Sequence, residues 1–470
     1  MGIVGRKYEV NLLEISCNSE KAELIAVYGR RRVGKTFLIR QYFGDKFDFY
    51  MTGIYNGTRK EQLTYFNKQI NSYANGCYPM VDNWFDAFDQ LKHYLSRIKR
   101  KNIFVFFDEM PWMDTQNSRF LKAFELFWNS WGCNCPQLKL IICGSATTWM
   151  TDKVLGNKGG LHGRVTRSIY LAPFTLLETE QLLASQGIKW TRHQTMDCYM
   201  VFGGIPYYIS LLQKNLSVVQ NVDALFFAQA AQLKEEYDFL FHSLFEQADI
   251  YQSVVELLAK KSKGLTRLEI INALHLSDNG STTTIINNLC RCDFIRRYSA
   301  FGKVERNVLY QLTDLFTLFY LKFVKGYNGQ DEHRWSNMLE SPTQRTWSGY
   351  AFEQVCLLHI PQIKKALGIN GIQSDVSSWM SADPANGGQI DMVIDRKDQT
   401  INLCEMKYAS IEFEINKSYD RQIQQRRELF RKQTQTRKAL HLTFVTPFGL
   451  ARNKYYSEVQ SEVTMEELFQ

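Results

Sequence analysis

The sequence predicts an α/β protein of several domains, and three observations support this prediction. Its 470 residues are too many for a single small module and, at roughly 150 residues per domain, indicate about three domains. From residue 20 to about 170, short apolar runs alternate with helical patterns, as in a parallel sheet covered by helices. Beyond residue 345 a second alternation of helix and strand begins. We therefore expect two α/β units with mainly helical segments between them.

Composition and charge set limits on the class of protein. With 45% hydrophobic and 14% aromatic residues, the chain can build compact cores, which excludes a largely disordered or fibrous protein. A formal net charge of +8 is a mild bias toward acidic partners such as nucleic acid, and it does not identify one by itself. The start lacks the apolar segment of a signal peptide, and every apolar run is far shorter than the roughly 20 residues of a membrane span. We therefore expect a cytoplasmic location and no membrane partner.

The cysteines are expected to be reduced thiols, because disulfide frameworks belong to short secreted domains. The chain has ten of them, and two pairs, Cys133/Cys135 and Cys290/Cys292, show CxC spacing. A half zinc site is the alternative for each pair, and it is the weaker one because no histidine completes a cluster.

The elements of the first unit follow from this alternation. The predicted strands are Leu24–Tyr28, Phe47–Met51, Ile103–Phe107, Leu140–Cys143 and Ser168–Leu171. The predicted helices begin after Lys35 and cover Glu61–Tyr73, Trp84–Arg100 and Ser118–Trp131. This order is typical of a nucleotide-binding core.

A phosphate-binding loop lies between the first strand and the first of these helices. It reads Gly29, Arg30, Arg31, Arg32, Val33, Gly34, Lys35 and Thr36, which satisfies GxxxxGK[ST]. The glycines let backbone N–H groups converge on phosphate oxygens, Lys35 supplies a cation for the β- and γ-phosphates, and the Thr36 hydroxyl is placed to ligate Mg²⁺. Direct phosphate contact and a solvated charge run remain alternatives for the three arginines. The loop predicts ATP and Mg²⁺ as cofactors.

A second element is expected to hold the metal ion and to prepare water for attack. The apolar strand Ile103–Phe107 ends in Asp108 and Glu109, where a parallel sheet places its ligand crevice. We expect Asp108 to hold Mg²⁺, directly or through water, and Glu109 to orient and deprotonate the attacking water.

Two further residues are candidates for sensing the γ-phosphate or stabilising transition-state charge. Ser145 follows the next strand, where its hydroxyl is placed to sense the γ-phosphate; an ordinary turn serine is the alternative. Arg164, preferred over Arg167, is the candidate arginine finger, and a surface ion pair is the competing interpretation. An arginine finger acts within its own subunit or from a neighbour in a homo-oligomer, and the sequence leaves both open.

Three segments separate the two α/β units. Residues 175–248 are almost wholly helical and read as a lid interrupted by Gly203-Gly204-Ile205-Pro206. Residues 249–325 give three helices and then the strands Phe294–Tyr298 and Val308–Leu312, the order of a winged helix. Its cations are candidate phosphate contacts, with a mechanical or protein-contact role favoured: Arg291, Arg296, Arg297, Lys303 and Arg306. Residues 326–344 are polar and form the predicted linker.

The C-terminal segment carries a second candidate site. Asp391 lies in one predicted strand, and Glu405 and Lys407 alternate onto one face of the next. Two carboxylates and a lysine suit metal-assisted phosphodiester hydrolysis, in which the acids hold Mg²⁺ and the lysine positions or activates water. Glu353, on a helix predicted over Tyr350–Leu367, is a candidate further metal ligand. A basic helix adds a candidate phosphate-contacting face with Arg421, Arg426, Arg427, Arg431 and Lys432.

Two family resemblances rest on these motifs. Val4 to Glu9, GRRRVGKT, FFDE, GSA, GRV and Gly203 to Tyr207 together resemble the archaeal-type ATPases within the STAND branch of the AAA-related P-loop proteins, over residues 1–320. This resemblance implies an N-terminal segment near the adenine, a P-loop core, a helical lid, a winged helix, and a nucleotide state that acts as a switch. Asp391, Glu405, Lys407 and Glu353 resemble the core residues of the PD-(D/E)xK nuclease superfamily, over residues 345–446, although Ile390 replaces the proline before the aspartate. That second resemblance implies a restriction-endonuclease-like α/β fold, in an active or an inactive form.

The expected architecture is therefore a P-loop parallel sheet with a helical lid, a winged helix and a restriction-endonuclease-like domain. The predicted domains are 1–174, 175–248, 249–325, the linker 326–344, and 345–470. The leading hypothesis is an ATPase that controls a metal-dependent nuclease-like domain acting on DNA. The alternative is a nucleotide-switched signalling or scaffold ATPase with an inactive C-terminal domain.

Overall fold

The computed structural model describes residues 2–156, 161, 163–302, 308–381 and 388–470. The chain divides into two compact units, Met1–Pro173 and Phe174–Gln470. The first holds the predicted phosphate-binding loop, and the second holds the helical segment, the predicted winged helix and the C-terminal sheet.

The first unit alternates strands and helices. In chain order its elements are α1 (Lys7–Asn18), β1 (Glu23–Tyr28), α2 (Lys35–Phe43), β2 (Phe49–Thr52), α3 (Arg59–Ala74), α4 (Trp84–Leu95), β3 (Ile103–Asp108), α5 (Phe120–Ser130), β4 (Leu138–Gly144), α6 (Thr147–Trp149) and β5 (Arg167–Tyr170).

The strands of this unit form one five-stranded sheet in the order β2-β3-β4-β1-β5, and every pairing is parallel. The predicted parallel sheet is therefore confirmed. All residues of β4 are buried, as expected where helices cover both faces of a parallel sheet. Since β3, β4 and β1 are neighbours, the loops that follow them meet at one edge of the sheet.

An aromatic core supports β3. The Trp84 and Phe120 ring centroids are 4.8 Å apart, and those of Phe88 and Phe107 are 5.9 Å apart. The helix that carries Trp84 ends at Leu95, earlier than predicted. Its apolar face ends there, because the next residues are the mainly polar and basic run Ser96–Asn102.

The second unit begins with helices and continues into a small sheet. Its first elements are α7 (Leu176–Ser185), α8 (Arg192–Phe202), α9 (Pro206–Ser210), α10 (Val218–Val222), α11 (Glu236–Leu244), α12 (Ala248–Ala259), β6 (Leu265–Thr266), α13 (Arg267–Leu274), α14 (Gly280–Arg291), β7 (Ile295–Ser299), β8 (Val308–Leu312) and α15 (Leu315–Phe319). The strands form an antiparallel sheet in the order β6-β8-β7. Three helices followed by this hairpin give the element order predicted for a winged helix.

The chain then builds a second five-stranded sheet. Its elements are α16 (Arg334–Asn337), α17 (Pro342–Leu358), α18 (Ile360–Ala366), β9 (Ser374–Met380), β10 (Gln389–Arg396), β11 (Thr400–Met406), α19 (Lys417–Thr434), β12 (Ala439–Val445), β13 (Ser461–Val463) and α20 (Met465–Leu468). The strand order is β13-β12-β11-β10-β9, with β10 antiparallel to both of its neighbours. The strands from β11 to β13 are parallel.

Two details of this part differ from the predictions. The single helix expected over Tyr350–Leu367 is two helices, with Leu358 and Ile360 on either side of the break. Pro361 explains the second start, because proline lacks a backbone N–H and fits the first turn of a helix. The polar segment 326–344 holds a short helix whose Trp335 is buried, with its ring centroid 5.0 Å from that of Phe319.

Candidate functional site

The phosphate-binding loop joins β1 to α2. Gly29 has a φ of 148°, and a Cβ at this position would lie 2.3 Å from the carbonyl oxygen of Leu171. Gly34 has a φ of 89° and caps the N-terminus of α2. The Lys35 Nζ donates to the carbonyl oxygens of Gly29 and Arg30, both at 2.9 Å. The lysine is therefore held inside the loop that it is expected to serve.

Asp108, at the end of β3, faces the loop. Its Oδ2 accepts a 2.8 Å hydrogen bond from the Thr36 hydroxyl, and its Oδ1 accepts a 3.0 Å hydrogen bond from the backbone N–H of Glu109. Burial, followed by the nearby charge of Glu109, raises the pKa of Asp108. A hydroxyl and a buried carboxylate at this separation fit a small divalent cation, because Mg²⁺ prefers oxygen ligands.

Glu109 is held by the next strand of the sheet. Its Oε2 accepts hydrogen bonds from the backbone N–H of Ser145 at 2.9 Å and from the Ser145 hydroxyl at 2.8 Å. Glu109 also adopts a left-handed backbone conformation, with a φ of 44°. Such strained positions cost of order 1–3 kcal/mol and cluster at functional sites. The structure thus brings together both acids and the serine that the sequence singled out.

The arginines of the region lie in different surroundings. Arg30 is buried, so a solvated charge run does not describe it, whereas Arg31 and Arg32 are half-buried. Arg164 is exposed. No separate role was predicted for Arg6, whose guanidinium donates to the carbonyl oxygens of Val33 at 3.2 Å and Ala172 at 2.7 Å. This contact ties the N-terminal segment to the phosphate-binding loop.

The C-terminal candidates converge from three elements. Glu353 lies on α17, Asp391 on β10 and Glu405 on β11, and Lys407 directly follows β11. Strand β10 pairs with β11 through Met392 and Cys404, and the next step of this antiparallel register sets Asp391 opposite Glu405. Glu353, Asp391 and Lys407 line one cleft with a volume of about 330 Å³.

Crowded negative charge marks this cleft. Burial, followed by the charge of Asp391, raises the pKa of Glu353 to about 8. Burial, followed by the charge of Glu405, raises the pKa of Asp391 to about 6. Buried acids that repel one another are common at functional sites, because a cation or a transferred proton relieves the repulsion.

Glu405 already has strong partners. Its Oε1 accepts a 2.7 Å hydrogen bond from Arg426, its Oε2 accepts a 2.9 Å hydrogen bond from the Tyr419 hydroxyl, and the Lys407 Nζ lies 3.7 Å from Oε2. Sequence reasoning placed Arg426 on a phosphate-contacting face and missed Tyr419. Their spacing of seven residues on α19, which puts them on one helix face, is the signal that could have paired them.

The donor chemistry at this cleft suits a divalent cation, since carboxylate oxygens are its preferred ligands. Within the described ranges, however, no group of three or more His, Cys, Asp or Glu side chains is placed to share a metal ion. Glu353, Asp391 and Glu405 are neighbours without forming a ready metal cage. All ten cysteines are free thiols.

The remaining predicted cations fall into two groups. Arg426 and Arg427 form ion pairs with Glu405 and Glu458, whereas Arg421, Arg431 and Lys432 are exposed on α19. In the small antiparallel sheet Arg297 is exposed and Arg296 is half-buried, and Lys303 and Arg306 lie outside the described residues.

Among the helices that the structure describes, none is both long enough and apolar enough to cross a membrane.

The fold and the loop define a P-loop ATPase core. Residues 3–212 match a family described as an ATPase domain predominantly from Archaea, so this segment is similar to the archaeal-type ATPase domains. The chain is 24% identical over 439 residues to an uncharacterized protein of Methanocaldococcus jannaschii, with 91% of each chain covered. It is 54% identical over 43 residues to an uncharacterized ATP-binding protein of the same organism, covering 9% of this chain and 73% of that one.

Solved structures resemble the chain at lower levels. A Walker-type ATPase of Pyrococcus abyssi superposes with a TM-score of 0.48 at 17% sequence identity, over 68% of this chain and 96% of that protein. The ORC2 protein of Aeropyrum pernix gives a TM-score of 0.43 at 14% identity, over 68% of this chain and 93% of that protein.

Proposed function

We propose that this chain binds and hydrolyses ATP with Mg²⁺ and that its nucleotide state controls a metal-dependent nuclease site in the C-terminal sheet domain, with DNA as the substrate. One observation carries the nuclease part of the proposal. Two facing strands and one helix bring Glu353, Asp391, Glu405 and Lys407 together beside a cleft. The restriction-endonuclease-like identity of this domain belongs to the same proposal.

In the ATPase core each residue has a distinct task. The backbone of the loop and Lys35 bind the phosphates, and a nucleotide would replace the carbonyl contacts that Lys35 now makes. Thr36 and Asp108 would hold Mg²⁺, which when bound neutralises charge on the β- and γ-phosphates. Glu109 orients and deprotonates the attacking water, and Ser145 fixes the carboxylate of Glu109.

Arg164 is the proposed arginine finger. It is exposed, so it can reach a phosphate in its own subunit after a local rearrangement or a phosphate in a neighbouring copy.

In the C-terminal cleft the acids and the lysine divide the work. Asp391, Glu405 and Glu353 would hold the divalent cation, which when bound supplies Lewis acidity at a phosphodiester. Glu405 would first have to release Arg426, which would then be available to a phosphate. Lys407 positions or activates the water that attacks phosphorus and steadies the charge that develops there.

A direct contact supports control of this cleft by the ATPase segment. Tyr408 follows Lys407, and its hydroxyl donates to the carboxylate of Asp197 on α8 and lies 3.1 Å from His193 Nε2. The His193 ring also stacks on Tyr408, with 5.6 Å between centroids. Because α8 lies within residues 3–212, the matched ATPase segment touches the residue beside the proposed catalytic lysine.

The alternative function is a nucleotide-switched signalling or scaffold ATPase with an inactive C-terminal domain. The contacts of Glu405 favour it, because both carboxylate oxygens are occupied by Arg426 and Tyr419. This alternative predicts ATP binding, slow turnover, intact DNA under every condition, and a partner that is captured in only one nucleotide state.

Two matched variants of β10 test the nuclease proposal. Asp391→Asn removes a charge from the cleft, whereas Asp395→Asn removes one from a residue four positions along the same strand, which pairs with Lys438. We expect Mg²⁺- or Mn²⁺-dependent cleavage of plasmid DNA to fall by at least about a hundredfold in the first variant and to persist in the second. Equal cleavage by both variants would exclude this cleft as the nuclease site.

A further inference from the structure

A larger cavity shares two carboxylates with the C-terminal cleft. Its volume is about 1120 Å³, and Glu353 and Asp391 line both this cavity and the smaller cleft. Part of its lining comes from β7 of the small antiparallel sheet and the turn after it, and includes Arg296, Tyr298 and Phe301. The two acids therefore stand where two open spaces meet.

The guanidinium of Arg296 is the cation of interest in the lining of this cavity. Its Nε donates to Gln311 Oε1 at 2.7 Å, and its guanidinium carbon lies 4.5 Å from the centroid of the Tyr298 ring. Within the part of the chain that the structure describes, no carboxylate lies within ion-pair distance of Arg296, although the charge of Glu353 acts on it from farther away. Burial lowers the pKa of Arg296. A half-buried guanidinium with no carboxylate at ion-pair distance is available to bind an anionic ligand.

Contacts between the segment after β7 and the C-terminal sheet domain join the two walls of this cavity. Ala300 forms a parallel bridge with Ser378 on β9, and the backbone N–H of Phe301 donates to the carbonyl oxygen of Ser378 at 2.8 Å. The ring of Phe301 packs on Phe430 with 5.0 Å between centroids. The small antiparallel sheet thereby covers β9, an edge strand of the C-terminal sheet. This contact fixes the position of Arg296 relative to Asp391.

We propose that this cavity binds a single strand of nucleic acid and that Arg296 clamps a backbone phosphate beside Asp391 and Glu353. The inference rests on the proposed nuclease function. It makes the substrate site composite: the small antiparallel sheet supplies the arginine that binds phosphate, and the C-terminal sheet domain supplies the acids. Arginine matches phosphate geometry through paired N–H donors, which lysine cannot reproduce.

The lining of the cavity favours a single strand over a duplex. Tyr298 and Phe301 line it and are half-buried, and aromatic side chains beside a cation are the usual platform for unpaired bases. A recessed space between two sheets also admits a flexible strand more easily than a rigid double helix.

Neighbouring arginines on β7 provide a matched test. Arg296 lines the cavity, whereas Arg297 is exposed. The charge of Arg297 acts on Cys290 and Tyr310, where it opposes the rise in pKa caused by burial. Binding of a short fluorescein-labelled oligothymidine strand would be measured by anisotropy in EDTA, so that no metal-dependent cleavage consumes the probe. We expect Arg296→Gln to weaken binding about tenfold and Arg297→Gln to stay within about twofold of wild type.

A second variant keeps the test decisive if Arg296→Gln fails to fold. Lys263 is exposed and lines the same cavity, and its Nζ contacts only the sulfur of Met380 among the described residues. Lys263→Gln should weaken binding about threefold and reduce its salt dependence.

Each result separates this proposal from the nuclease proposal. Loss of binding in Arg296→Gln without any cleavage by wild type would support the cavity and remove the nuclease. Cleavage by wild type with normal binding in Arg296→Gln would remove the cavity and keep the nuclease. No strand binding by wild type, loss only in Arg297→Gln, or a preference for blunt duplex would each overturn the cavity proposal.

Discussion

At the scale of single residues, the proposed ATPase site depends on how Glu109 is held. Glu109 is the residue after Asp108 and has a left-handed backbone conformation. Ser145 binds its carboxylate through both a backbone N–H and a hydroxyl. The carboxylate of Asp108 contacts Thr36, whereas that of Glu109 contacts Ser145. The two adjacent acids are therefore expected to have different roles. Such division of roles between adjacent carboxylates comes from their separate partners.

Glu109→Gln tests this division. The amide keeps the size of the side chain and removes the base, so ATP turnover should fall by about 10²–10⁴-fold while nucleotide binding is retained. Phosphate release and binding of a fluorescent ATP analogue would be measured, with the exposed Glu14→Gln on α1 as the control. Turnover that survives in Glu109→Gln would show that another group prepares the water.

Glu353 predicts a pH dependence of stability. Its pKa is raised from 4.5 to about 8 in the folded protein, so the protonated form is favoured by folding. The stability that it contributes is fully present below about pH 4.5 and is lost as the pH rises toward 8. In EDTA, the melting temperature of the wild type should therefore fall across this range relative to Glu353→Gln. Parallel pH profiles of the two proteins would contradict this prediction.

At the scale of elements, the order β2-β3-β4-β1-β5 brings the residues of the proposed ATPase site together. It brings the phosphate-binding loop, Asp108 and Ser145 to one edge through the ends of β1, β3 and β4. The loop has a strict steric requirement at its start, because Gly29 faces the backbone of Leu171, while Gly34 faces open space.

Replacing each of the two glycines by alanine should therefore lower the free energy of unfolding by a different amount. Gly29→Ala should lower the free energy of unfolding by about 2–4 kcal/mol, because the new Cβ meets a backbone carbonyl that cannot move freely. Gly34→Ala carries only the strain of a left-handed backbone, about 1–2 kcal/mol. Urea denaturation of both variants checks the order, and an equal or reversed cost would contradict it.

Sequence patterns predicted the five strands of the first sheet largely because β1, β3 and β4 contain long apolar runs. They missed β9, whose sequence Ser374–Met380 is mostly polar and which pairs at a sheet edge. They also could not show that Arg426 binds Glu405 or that Arg296 lines the cavity beside Asp391. These contacts join residues far apart in the chain, and only tertiary packing brings such residues together.

At the scale of the whole molecule, the C-terminal sheet and α8 share one compact unit. Tyr408 joins Asp197 and His193, and Leu176 N donates to His359 Nε2 at 3.0 Å. A movement of the ATPase segment that shifts α8 would therefore act on the strand end that carries Lys407.

Tyr408→Phe tests that connection. The ring and its packing remain, while the hydrogen bond to Asp197 is lost. ATP turnover should stay within about twofold of wild type, and the effect of ATP on DNA cleavage should shrink by at least about half, given the 0.5–1.5 kcal/mol of an ordinary hydrogen bond. An unchanged ATP effect would show that control does not pass through this contact.

The most direct measurement of the central claim is cleavage of supercoiled and single-stranded DNA with Mg²⁺ or Mn²⁺, with and without ATP. Wild type would be compared with Lys35→Ala, which removes the phosphate-binding cation, and Lys407→Ala, which removes the proposed catalytic lysine. We predict cleavage that is lost in Lys407→Ala and no longer responds to ATP in Lys35→Ala. Intact DNA in every reaction, with ATP still bound by the wild type, would contradict the nuclease account and favour the signalling ATPase.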